Sequence, residues 1–94
     1  MNYYFSYFLL NKEYKTKNIT ITDNKMYYQN IIIAEHLNED TVIINNTFYN
    51  IKQFKFVNSL LEYSGIRNKF MVIILNGVSI ETSSLIKEFN KRIS

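Results

Sequence analysis

The side chains best suited to metal chemistry lie close together in the segment EHLNED. His36 is the only histidine, and Glu39 and Asp40 follow it at the third and fourth positions. On a helix these three residues would share one face and offer imidazole and carboxylate ligands to a divalent metal. One triad without further ligands nearby is more typical of a solvated acidic helix end or loop. We therefore predict no metal site.

Other catalytic side chains are scarce in this sequence. The chain has no cysteine, which excludes disulfides, zinc–thiolate sites and thiol catalysis. A Ser-His-Asp arrangement would need His36 and a buried acid, and no serine lies in a nucleophile-elbow motif. The eight carboxylates show no spacing that singles out an acid–base pair. We expect a protein that is not an enzyme and that binds no cofactor.

Tyrosine is the most unusual part of the composition, with eight tyrosines beside seven phenylalanines. Tyrosine is favoured at protein interfaces, because its ring packs while its hydroxyl finds a partner. We predict an interface formed by the six tyrosines nearest the amino terminus, which are Tyr3, Tyr4, Tyr7, Tyr14, Tyr27 and Tyr28. If the first element is an edge strand, this end would form a homodimer or dock on another protein.

Basic residues alternate with aromatic ones in the segments KQFKF, IRNKF and FNKR, as they do in proteins that bind single-stranded nucleic acids. The residues that would contact nucleic acid are Lys52, Lys55, Arg67, Lys69, Lys91 and Arg92. The net charge of +3 and the pI near 9.1 permit such contact without demanding it. Dedicated nucleic-acid binders show a denser basic stripe, so this function is an alternative.

The segment VIILNGVSIETSSL, residues 72–85, resembles the central motif of STAS domains, the anti-sigma-antagonist family. That motif is a hydrophobic strand, a Gly-Val turn, and an acidic residue followed by serines at the start of a helix. The alignment needs a one-residue gap, and it places Ile74 where the family has an aspartate. The resemblance implies that Glu81 takes the acidic position. It also implies a signalling partner that is switched by phosphorylation of Thr82.

The composition of the whole chain resembles that of small accessory proteins encoded by phages and mobile elements of low-GC bacteria. Thirteen asparagines, one alanine and no proline are typical of an AT-rich coding sequence. Anti-CRISPR and other anti-defence inhibitors belong to this class, and many of them act by occupying a surface of a host protein. The resemblance implies a non-enzymatic inhibitor that binds a host protein or complex. This is our leading hypothesis from the sequence.

The elements that must position these residues fit one domain over residues 1–94. We predict the α+β class, with a small mixed or antiparallel sheet of about four to five strands packed against two or three helices in a single layer. No apolar run reaches the roughly 18–20 residues of a membrane span, and no basic segment precedes the apolar amino terminus. We expect a protein of the cytoplasm that does not bind membranes.

The pattern of residues in the first half of the chain predicts mainly strands. Residues 3–10 are dense in apolar side chains and predict a buried strand, and the alternation in residues 18–22 predicts its antiparallel partner. Asp23-Asn24 suits either a turn or a helix cap. We favour a helix over residues 26–37, although a β-branched triplet within it also suits a strand. Residues 40–45 predict a short strand.

The clearest sequence pattern predicts a helix over residues 51–64. Asn50 is a suitable N-cap, and Gln53 stands where a capping-box partner belongs. Gly65 is placed to take the left-handed conformation just after the helix. The predicted apolar stripe of this helix consists of Ile51, Phe54, Val57 and Leu61.

The last third of the chain predicts a strand and an amphipathic helix. Residues 70–75 form a continuous apolar run that is typical of a central strand. Asn76-Gly77 favours a type I′ hairpin turn after it, while the rival interpretation is a short loop into a helix that begins near Thr82. The expected caps are Thr82, Ser83 or Ser84. The expected apolar face of this helix consists of Leu85, Ile86, Phe89 and Ile93.

Overall fold

Six strands form one mixed sheet in the computed structural model of this protein, which describes residues 3–94 apart from the side chains of Ser64 and Arg67. The strands are β1 (Tyr14–Lys15), β2 (Ile19–Thr22), β3 (Lys25–Tyr28), β4 (Ile31–Asn38), β5 (Thr41–Asn45) and β6 (Met71–Leu75). They lie in the sheet in chain order. Each strand pairs antiparallel with the next except β5 and β6, which are parallel because a helical crossover joins them.

The helices are α1 (Tyr3–Leu9), α2 (Ile51–Glu62), α3 (Ser64–Lys69) and α4 (Leu85–Ile93). The first three cover one face of the sheet, where Phe8 and Leu60 pack with Ile33 in the larger core. The opposite face carries α4, whose Leu85 packs with Ile32 in a second core. The α+β class is confirmed. Helices lie on both faces instead of in the single layer we expected, because β4 and β5 bury apolar side chains on both sides.

The amino-terminal segment is the helix α1, so the prediction of a strand over residues 3–10 is wrong. Phe5 and Phe8, three positions apart, are fully buried, while Tyr3 is half exposed. This spacing puts the two phenylalanines on one face of a helix. The density of aromatic residues suggested burial on both sides, but only one face of the segment enters the core.

Two tight turns settle the conformation of residues 25–37, which form β3 and β4 rather than the helix we favoured. Asp23 and Asn24 have φ angles of 51° and 66°, and Gln29 and Asn30 have φ angles of 50° and 66°. Positive φ at both central residues defines the type I′ turn that suits two-residue hairpins. The turn interpretation of Asp23-Asn24 is therefore correct, and the β-branched triplet in β4 was the better signal.

The N-cap of α2 is confirmed. The side-chain oxygen of Asn50 accepts a hydrogen bond of 2.8 Å from the backbone N–H of Gln53. The Gln53 side chain reaches back at 3.4 Å to the N–H of Tyr49, one residue earlier than a capping box requires. The local sequence therefore fixes where this helix begins.

The buried side of α2 differs from the predicted stripe. Ile51 is 64% exposed, whereas Gln53 is fully buried. The residues that face the core are Gln53, Phe56, Val57 and Leu60. Because Gln53 in this buried row is polar, the spacing of apolar residues did not identify the row. Gly65 lies inside α3 instead of in a left-handed cap, and an added Cβ there would approach the ring of Tyr63 to 2.6 Å.

β6 is an edge strand rather than a central one, and Asn76-Gly77 leads into a loop instead of a hairpin. The N–H of Val78 donates to the hydroxyl of Thr47 at 2.9 Å, and the hydroxyl of Tyr49 donates to the Val78 carbonyl. These bonds hold the chain after Gly77 against the β5–α2 connection. Ser84 then caps α4, so the rival interpretation of a short loop and a helix is correct.

Candidate functional site

His36 is a buried residue of β4, and its ring packs against Phe8 and Phe70 at centroid distances of 4.5 Å and 5.9 Å. Its Nε2 lies 2.7 Å from the carbonyl oxygen of Phe8. A carbonyl only accepts, so Nε2 carries the proton. Glu39 and Asp40 lie in the exposed turn after β4. Within residues 3–94 as described, no group of three or more His, Asp or Glu side chains is placed to hold a metal ion.

Glu35 is a buried carboxylate that the sequence did not single out. Its Oε1 accepts hydrogen bonds from the backbone N–H groups of Leu85 and Ile86, at 2.7 Å and 3.3 Å. These groups belong to the first turn of α4, which has no partner for them within the helix. A negative charge at a helix N-terminus is also favourable. Glu35 therefore joins α4 to the sheet and has a structural role.

Tyrosines from α1 and β1 meet on one surface. The rings of Tyr3 and Tyr7 on α1 are 5.8 Å apart, and both contact Tyr14 on β1, at 6.2 Å and 5.1 Å. Tyr3 is 49% exposed, and the other two are half-buried. Parts of the rings in this cluster therefore remain accessible to a partner.

A stack of three rings extends this cluster across α2. Tyr4 lies against Phe56 at 5.7 Å, and Phe56 lies against Tyr28 at 4.3 Å, with interplanar angles of 21° and 16°. The neighbouring residue Tyr27 points to the opposite face of the sheet and packs on the second core. Five of the six predicted interface tyrosines thus share one region, and Tyr27 does not.

Three lysines border the stacked rings. Tyr28 and Phe56 form part of a shallow groove of about 600 Å³. Its other lining residues are Lys17, Asn18, Gln29, Lys52, Lys55 and Ser59. Among the described residues no acidic side chain lines it, and the three lysines are exposed. We call the surface made of Tyr3, Tyr4, Tyr7, Tyr14, Tyr28, Lys17, Lys52 and Lys55 the aromatic–basic face.

The other basic residues of the predicted nucleic-acid contact lie elsewhere. Lys69 is the last residue of α3 and lies beside a small apolar hollow. Lys91 and Arg92 are on α4, across the sheet, and Arg92 forms an ion pair of 2.9 Å with Glu88. The side chain of Arg67 lies outside the described residues. The described side chains of the predicted set are therefore divided between two faces, and among them only Lys52 and Lys55 belong to the aromatic–basic face.

Thr82, the predicted phosphorylation site, lies in the loop before α4 and is half-buried. Its N–H donates to the carbonyl of Ser79 at 3.0 Å. Thr82 lines a small hollow of about 160 Å³, and Lys87 and Lys91 line it too. A switch at this position stays a prediction from the resemblance.

The packing of the tyrosines changes how readily they ionise. The hydrogen bond that the Tyr14 hydroxyl donates to Tyr3 is the main cause that raises the pKa of Tyr14 above its usual range, and partial burial adds to it. Burial raises the pKa of Tyr4, with smaller contributions from Tyr28 and Tyr3. Both groups are therefore neutral hydrogen-bonding hydroxyls at physiological pH.

Comparisons with protein-family models, curated proteins and solved structures gave no match. In the part of the chain that the structure describes, no helix is long and apolar enough to cross a membrane. The aromatic–basic face combines neutral tyrosine hydroxyls, ring edges and positive charge. Such a surface suits reversible binding better than covalent chemistry.

Proposed function

We propose that this chain is a non-enzymatic binding protein that docks on an acidic surface of another protein through its aromatic–basic face. The observation that carries the proposal is the convergence of Tyr3, Tyr14 and Tyr28 from three separate elements onto one surface. A small core does not require tyrosines that are left half exposed. Tyrosine is enriched among the residues that dominate binding energy at interfaces.

The packing of the tyrosines favours binding. Each ring contacts at least one neighbouring ring, so little side-chain freedom remains to be lost when a partner arrives. Lys17, Lys52 and Lys55 form no ion pair within the described chain, so their charges are available. Rim charges of this kind mainly speed association and select an oppositely charged partner.

The kind of partner follows from the composition of the whole chain. Its resemblance to accessory proteins of phages and mobile elements supports a host protein or complex, such as a nuclease of a defence system, as the target. Binding at one surface would then inhibit stoichiometrically, without any reaction. This role needs a docking face and no catalytic group.

Capture from a bacterial host lysate tests the docking face, with the wild-type chain, Tyr3→Ala/Tyr7→Ala and the control Phe48→Ala as baits. Phe48 is 64% exposed, so its ring is accessible like those of the tyrosines. It stacks on Phe54 and is not part of the aromatic–basic face. We expect the wild type and the control to capture the same protein, and the double variant to lose it while keeping its circular dichroism spectrum. Equal capture by all three would show that this face is not the docking surface.

A second candidate function is the binding of single-stranded nucleic acid, which the convergence of Lys17, Lys52 and Lys55 in one groove favours. Phosphate contacts release counterions, so affinity would fall steeply with salt. Fluorescence anisotropy with a labelled oligonucleotide tests this, using Lys52→Glu/Lys55→Glu against the control Lys91→Glu. Absence of binding by the wild type at low salt would eliminate this candidate.

A further inference from the structure

The two edges of the sheet differ in their protection against pairing with another strand. Edge strands are usually blocked by shortness, charge, proline or a bulge. At one edge, β1 has two residues and includes Lys15, with Glu13 and Lys17 beside it. At the other edge, β6 has five residues, all apolar, and pairs with β5 through its whole length without a shift. Only the β6 edge is left unprotected.

The hydrogen bonds of β6 show which backbone groups point outwards. The N–H of Met71 donates to the carbonyl of Asp40, and the carbonyl of Leu75 accepts from the N–H of Asn46, both at 2.8 Å. Residues 71, 73 and 75 therefore face β5. Because successive residues of a strand present their backbone groups to opposite sides, Val72 and Ile74 direct their N–H and C=O groups to the open edge.

We propose that β6 pairs antiparallel with β6 of a second copy of this chain, about a two-fold axis at Ile73. In this register Val72 lies opposite Ile74 of the second copy, and each such pair exchanges two hydrogen bonds. The symmetry repeats the pair, so all the outward groups of Val72 and Ile74 are satisfied. Such an interface is isologous, the commonest kind in soluble dimers.

The side chains fit this register as well as the backbone does. Residues 71–75 carry no charge, and Lys69 would lie opposite Gly77 of the second copy, so like charges do not meet. Met71 is 71% exposed and Ile74 is 39% exposed, and the pairing would cover both with apolar neighbours. The nearby helix α4 packs mainly on β4 and β5, and no backbone hydrogen bond within the described chain occupies the outward groups of Val72 and Ile74.

Sedimentation velocity over micromolar to millimolar concentrations tests the dimer, with Met71→Lys/Ile74→Lys as the variant. The introduced lysines at position 74 would be diagonal neighbours across the axis, so we expect the dissociation constant to rise more than about tenfold. Leu10→Lys is the matched control, because Leu10 is 64% exposed and lies outside β6. A wild-type chain that stays monomeric throughout, or a variant that dimerises as tightly as the wild type, would overturn the proposal.

Amide hydrogen exchange locates the interface independently. The N–H groups of Val72 and Ile74 should exchange slowly in concentrated wild-type protein and faster on dilution, while those facing β5 stay protected at both concentrations. A dimer in which the Val72 and Ile74 amides exchange fast would place the interface elsewhere and contradict the proposed pairing. At a dilution where the wild type is also monomeric, an equal unfolding temperature for the lysine variant would show that its monomer is intact, since Met71 and Ile74 are exposed.

Discussion

Tyr14 links the chemistry of single residues to the stability of the aromatic–basic face. Its hydrogen bond with Tyr3 raises its pKa in the folded protein above the ordinary value of 10.0. The unfolded chain loses this proton near pH 10, while the folded chain keeps it to higher pH, so above pH 10 the folded state binds more protons. The stabilisation is therefore complete below pH 10 and is lost as the pH rises through the folded-state pKa.

We expect Tyr3→Phe to lower the pKa of Tyr14 towards its ordinary value, because the hydrogen-bonding hydroxyl is removed. The measurement is an NMR titration of the Tyr14 ring, with denaturant unfolding at neutral pH and above pH 10. The difference in unfolding free energy between wild type and Tyr3→Phe should shrink at the higher pH. An unchanged Tyr14 pKa in the variant would show that burial, not the hydroxyl of Tyr3, controls its ionisation.

At the scale of elements, α4 depends on a residue that is distant in sequence. Glu35 on β4 is 4% exposed and accepts the N–H groups of Leu85 and Ile86. We expect Glu35→Ala to lower the free energy of unfolding by about 1–3 kcal/mol, because the buried N–H of Leu85 and the partly buried N–H of Ile86 lose their acceptor. Glu35→Gln keeps an acceptor oxygen and should cost less.

Chemical denaturation with amide exchange at Leu85 and Ile86 measures this effect. Glu13→Ala is the control, since that carboxylate is exposed and its removal should change stability by no more than about 0.5 kcal/mol. If Glu35→Ala proves as mild as the control, the tether of α4 lies elsewhere.

The elements that the sequence predicts well are those that local chemistry decides. Asn50 caps α2 through a bond to a residue three positions away, and Ser84 caps α4 in the same way. The strongest turn signal, Asn76-Gly77, failed because Thr47 and Tyr49 bind the residue that follows it. Those partners are about thirty residues distant, and no local pattern reports them.

The candidate face could be predicted only in part for the same reason. A cluster of early tyrosines was visible in the sequence, but the exclusion of Tyr27 depends on the hairpin register that sends it to the other side of the sheet. Lys17 joins Lys52 and Lys55 only because the sheet and α2 are packed together. The predicted set of basic residues was divided by the fold, since α4 lies across the sheet.

At the scale of the whole molecule, the proposed dimer would carry two aromatic–basic faces at its far ends. β1 and β6 form opposite edges of the six-stranded sheet, so pairing through β6 leaves Tyr14 and Lys17 of each copy outermost. The two β1 strands would be separated by roughly 50 Å, at about 4.8 Å for each strand spacing. A dimer of this shape would bind two copies of an acidic partner at once.

Bivalent binding tests the aromatic–basic face and the β6 dimer in one measurement. On a surface densely coated with the captured partner, the wild type should dissociate at least about tenfold more slowly than Met71→Lys/Ile74→Lys, because the second contact forms at high effective concentration. On a sparsely coated surface the two should dissociate equally, since the aromatic–basic face is unchanged in the variant. Surface plasmon resonance at both densities measures this. Equal dissociation rates at high density would mean that the two faces of a dimer do not engage together.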